Sequence, residues 1–132
     1  MAASPAEAGS GSAGPFGCRI LCDATLAGPA SHDGTGLRHV LLPPAGDGRH
    51  YALDVERRDL PPPEALARAL GPRALQRWGE IEVIAKLLDH PAHLVLRRVL
   101  AGGGPDLLRA HGLRIRRSDT PALWRVVGRR PV

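Results

Sequence analysis

The stretch "DLPPPEALARAL" (59–70) constrains this chain more than any other. Pro61, Pro62 and Pro63 carry no backbone N–H and hold φ near one value, so no strand ladder can run through them. A proline is well suited to the first turn of a helix, and Leu66 and Leu70 follow at helical spacing. The prolines therefore divide the chain into a strand-forming half before them and a helix-forming half after them.

Upstream, "CRILCDATL" (18–26) predicts a strand with Cys18, Ile20 and Cys22 on one face. "AGPASHDGTG" (27–36) is dense in turn formers and predicts a loop. "LRHVLLP" (37–43) and "RHYALDVER" (49–57), joined by "PAGDG", predict a β-hairpin.

Downstream, "RALQRW" (73–78) begins one helical piece. A helix over 80–90 follows, with Ile81, Ile84, Leu87 and Leu88 on one side and Pro91 at its end. "AHLVLRRVL" (92–100) carries Leu96, Val99 and Leu100 at helical spacing. Gly102, Gly103 and Gly104 break it, Pro105 starts a short helix over 105–111, and Gly112 is placed to end that helix in a left-handed conformation. A closing hairpin spans 113–127. The expected fold class is α+β: an N-terminal antiparallel β unit, central helices and a C-terminal β-hairpin.

At 132 residues the chain has room for one domain, expected over 16–132. Residues 1–15, "MAASPAEAGSGSAGP", are too small and polar to offset the entropy of ordering, and are expected to form a disordered tail dispensable for folding. Aromatic residues make up only 3% of the chain, so the core must be aliphatic, with Trp78 and Trp124 as its few large anchors. No apolar run approaches the roughly 18 residues of a membrane span, and the first residues lack a basic-then-apolar leader pattern. The expectation is no membrane partner and a cytoplasmic location.

The formal net charge of +5 favours nucleic acid or an acidic protein as partner. Of the 18 basic residues only Lys86 is a lysine, an arginine-rich bias that a GC-rich coding sequence also produces. Helix (80–90), helix (92–100), glycine turn, short helix and hairpin follow in the element order of a winged helix-turn-helix. Alternation along the hairpin predicts that Arg114, Arg116, Arg117 and Arg125 line a phosphate backbone, with Arg109 contributing from the preceding helix. The alternative is a solvated hairpin whose arginines only face water.

Other candidate sites are thinner. Cys18 and Cys22, if on one strand, lie roughly 13 Å apart at about 3.3 Å per residue, too far to share an ion, so both are expected reduced, buried and metal-free. No GxGxxG or GxxxxGK[ST] string occurs, and no cofactor is expected. Ser31, His32 and Asp33 are adjacent in sequence, whereas catalytic relays assemble in space. The leading expectation is a small non-catalytic regulatory or accessory protein whose basic C-terminal half contacts nucleic acid or an acidic protein. A small enzyme or enzyme subunit using the Ser31–His39 loop is the first alternative, and a structural subunit of a larger complex is the second.

Overall fold

The computed structural model describes residues 14–23 and 25–132, so the expected tail lies outside the described residues except for Gly14 and Pro15. The strands and helices of the fold run β1 (Arg19–Cys22), β2 (Ala30–His32), β3 (Arg38–Leu42), β4 (His50–Arg57), α1 (Glu64–Leu70), α2 (Ala74–Leu88), α3 (Ala92–Leu100), α4 (Gly104–His111), β5 (Arg114–Arg117) and β6 (Leu123–Arg130). The class is mixed α+β, with two antiparallel three-stranded sheets ordered β1-β3-β2 and β4-β6-β5.

Side-chain alternation along β4 and β6 layers these parts. Ala52 and Val126 join a core made with the helices, through residues such as Ile81, Val83, Leu87 and Val95. Leu53, Val55 and Val127 point the other way and pack with Cys18 and Leu41 of the smaller sheet. The larger sheet is thus the middle layer, covered by helices on one face and by β1-β3-β2 on the other.

Glycine sets the closeness of the helical layer. A Cβ on Gly128 would lie 2.4 Å from Val83 Cγ1 and 2.9 Å from Leu87 Cδ1, and one on Gly79 would lie 3.1 Å from Asp54 Oδ2. Helix and strand backbones approach here to a distance that side chains would forbid. α2 continues through Gly79 as one helix, where the sequence reads as two pieces.

Several expectations change. β3 and β4 do not pair as a hairpin, because β3 is the middle strand of the small sheet and β4 pairs with β6 along its whole length, from His50↔Arg130 to Arg57↔Leu123. The loop expected over 27–36 contains β2, which pairs with β3 and whose Ser31 Oγ accepts the Val55 N–H at 3.0 Å. Cys18 is buried, one residue before β1, but Cys22, at the strand's far end, is exposed. Trp78 and Trp124 are only half-buried; Trp78 packs on the helical core, while Arg58 lies over the Trp124 ring, 3.7 Å from its centroid. The helices match expectation more closely. Pro105 lies in the first turn of α4, and Gly112 ends it at φ 64.

Candidate functional site

β5 is an edge strand of the larger sheet and β6 its centre, so the closing hairpin is built into a continuous ladder and is not a free wing. In their register Arg114 faces Arg129, Ile115 faces Gly128, Arg116 faces Val127 and Arg117 faces Val126. Paired residues share a face and neighbours alternate. Arg114, Arg116 and Arg129 therefore lie on the small-sheet side with Val127, and Arg117 lies on the helix side with Val126.

The five arginines singled out in the sequence consequently do not form one face. Arg117 reaches α2, donating to Glu80 Oε2 at 2.9 Å, while its other nitrogens hold both oxygens of Asp119. Burial alone would lower its pKa, but these carboxylates hold it above the usual guanidinium value. Arg125 folds back on the hairpin turn, donating to the Ser118 carbonyl at 2.6 Å and to Ser118 Oγ at 3.0 Å, and burial lowers its pKa. Arg109 pairs with Asp106 on its own helix. Only Arg114 and Arg116 remain exposed and without an ion pair among the described residues.

Two neighbours complete this patch, Arg129 and Phe16. β6 runs on to Arg130, past the residue 127 at which the alternation reads as ending, because Gly128 leaves no side chain to read. The Arg129 guanidinium lies 4.6 Å from the Phe16 ring centroid and that of Arg116 5.4 Å, both within cation–π range. Phe16 sits in a tight turn over Pro15–Gly17 at φ 58, an uncommon region for an aromatic residue. The turn is closed by the Gly14 N–H donating to the Cys18 carbonyl at 2.7 Å and the Cys18 N–H to the Pro15 carbonyl at 3.1 Å. Asp47 borders the patch, but its carboxylate accepts from the Tyr51 hydroxyl and from Arg49. These contacts hold Asp47 below the usual carboxylate range.

Comparison with known proteins finds no matching family model, no matching curated protein and no matching solved structure. The functional reading therefore rests on geometry.

The Ser31–His39 segment is turned inward. Ser31, Asp33 and His39 are all buried; Asp33 Oδ2 lies 3.0 Å from His39 Nε2, and Asp33 Oδ1 accepts from the Thr35 N–H and hydroxyl. Burial opposes ionisation of Asp33, yet these hydrogen bonds bring its pKa down to about 2. Ser31 Oγ is engaged by β4, so the three residues staple the β2–β3 turn onto the larger sheet and form no serine relay. Among the described residues no three His, Cys, Asp or Glu side chains gather as a metal site.

A cavity of about 800 Å³ opens between the C-terminal ends of α2 and α4, lined by His50, Lys86, Asp89, His111 and Arg130. Its two permanent cations are tied to backbone. Lys86 Nζ donates to the Leu53 carbonyl at 2.7 Å, and Arg130 to the Leu87 carbonyl at 3.0 Å. Both cations lie at the C-terminal end of α2, where they offset the negative end of its dipole, which accounts for their place here without a ligand.

Proposed function

We propose that this protein is a non-catalytic accessory protein that binds the backbone of nucleic acid through Arg114, Arg116 and Arg129. One observation carries the reading. Where Arg109 and Arg117 each hold a carboxylate and Arg125 is occupied by Ser118, these three guanidinium groups share one face of β5–β6 with no carboxylate oxygen within 4.0 Å among the described residues. Gathering like charges within a Debye length costs the free protein energy, and a phosphate backbone relieves that repulsion. Arginine's planar donor fork suits phosphate oxygens.

The test is binding of labelled nucleic acid across a salt series. Affinity should fall linearly on a log–log plot, and replacing Arg114, Arg116 and Arg129 together by Gln should make the slope shallower by roughly 2 to 3. Arg109→Gln should leave the slope unchanged. Absence of binding at about 50 mM salt, where non-specific contacts are strong, would overturn the reading. The arginines would then serve only to keep the β5 edge from pairing with other chains.

A further inference from the structure

We infer that the Arg114, Arg116, Arg129 and Phe16 face takes single-stranded nucleic acid in preference to duplex, an inference that rests on the backbone-binding reading above. Its first support is what the hairpin and the last helix cannot do. A duplex reader of the winged type sends a helix into the major groove and a flexible wing along the backbone. Here α4 has Leu107 buried in the core, and its outward arginine, Arg109, is neutralised by Asp106. The turn between β5 and β6 is tied down as well: Asp119 Oδ1 accepts the Arg125 N–H at 2.9 Å, and Thr120 Oγ1 accepts the Leu123 N–H at 3.0 Å.

The second support is the shape of what remains. Arg114 and Arg116 stand two residues apart on β5, roughly 6.6 Å along the strand, and Arg129 lies directly across from Arg114. That is a short array on a sheet surface, able to follow the line of phosphates along an extended strand. Nothing in it is shaped to enter a groove.

Phe16 supplies the third. Its half-exposed ring sits among the arginines, held by the turn over Pro15–Gly17 and by the Arg116 and Arg129 guanidinium groups. A single strand presents free base faces to an aromatic ring, and guanidinium planes stack on bases too. In a duplex those faces are already covered by neighbouring base pairs, so Phe16 would have nothing to meet.

The experiment compares a labelled single strand of about 12 nucleotides with a duplex of the same length by fluorescence anisotropy at about 50 mM salt. The single strand should bind at least about 10-fold more tightly. Phe16→Leu should weaken it by about 10-fold, more than it weakens duplex binding, while Phe16→Tyr, which keeps a stacking ring, should retain the preference. Duplex bound as tightly as single strand, with arginine replacement still reducing both, overturns this inference and leaves the backbone reading standing. Binding of neither overturns both. A preference that survives Phe16→Leu in a variant with an unchanged thermal midpoint also overturns it, because the ring would then not be its source.

Discussion

The two faces of the larger sheet treat unneutralised charge in opposite ways. On the helix face Asp54 is 4% exposed, and its Oδ2, pressed against α2 at Gly79, has no hydrogen-bond partner among the described residues. On the far face Arg114 and Arg116 lack ion pairs too but stand in water. Water makes the difference in cost. A solvated guanidinium needs no partner, whereas a buried carboxylate either finds one or keeps its proton. Burial, with Glu56 adding and Lys86 opposing, pushes the Asp54 pKa up to about 7. Solvated charge is free to bind something else; buried charge is paid for in stability.

The largest expected effect tests the buried side. Asp54 titrates near 3.8 when unfolded and near 7 when folded, so the folded state holds the extra proton between those values. Its contribution is therefore intact below about pH 4 and lost as pH rises to 7, about 3 units or on the order of 4 kcal/mol. Asp33 works with the opposite sign: with its pKa near 2, its stabilising contribution is present above the usual carboxylate value and disappears as pH falls towards 2. Denaturant midpoints at pH 4 and pH 8 should show the decline in the native protein and a clearly smaller one in Asp54→Asn, the remainder coming from Glu56, whose pKa burial also raises. Equal pH dependence in the two proteins would break the comparison.

The packing of the same face comes next. Gly128→Ala would place a methyl group 2.4 Å from Val83 Cγ1 and 2.9 Å from Ile115 Cδ1, and forcing α2 off the sheet should cost about 3 kcal/mol. Chemical denaturation measures it, and a loss under about 1 kcal/mol would mean that the helical layer gives way easily.

The smallest effect sharpens the contrast between arginines of one strand. Arg117→Met strands Glu80 and Asp119, which share its half-buried guanidinium, and should cost about 1–2 kcal/mol. Arg114→Met should change stability by under about 0.5 kcal/mol, since exposed charges contribute little to folding. Thermal midpoints of the two variants, measured side by side, should differ by several degrees. Equal losses would erase the distinction between structural and free arginines on which the proposed site depends.

Local signals are legible in this sequence, and long-range pairings are not. Helix punctuation is local chemistry: Pro105 and Gly112 bracket α4 as their backbone preferences dictate. Strand partnership is not local, and nothing near residues 50–57 announces that their neighbour is 123–130 rather than 38–42. Gly79 and Gly128 read as interruptions in a helix and a strand because a glycine justified by close packing looks, in one dimension, like a break. The site inherits this blindness. Arg114 and Arg116 are legible from alternation, whereas Arg117 has the opposite parity, Arg129 lies past the break that Gly128 suggests in β6, and Phe16 reaches the arginines through a turn remote in sequence.

The position of β6 also bears on how the molecule comes together. It is the last of the described strands along the chain, yet it occupies the centre of the larger sheet and contributes to both cores through Val126 and Val127. Until it docks, β4 and β5 have no ladder to share, and β4 alone stands between the helices and the small sheet. Closing the long loop between β4 and β6 carries its entropic cost before the contacts that offset it exist, so this pairing forms later than the local helices and the β5–β6 hairpin. The helices and the β5–β6 hairpin are local and can form early, but Phe16 meets Arg116 and Arg129 only when the N-terminal segment docks, so assembly of the proposed site reports completion of the fold.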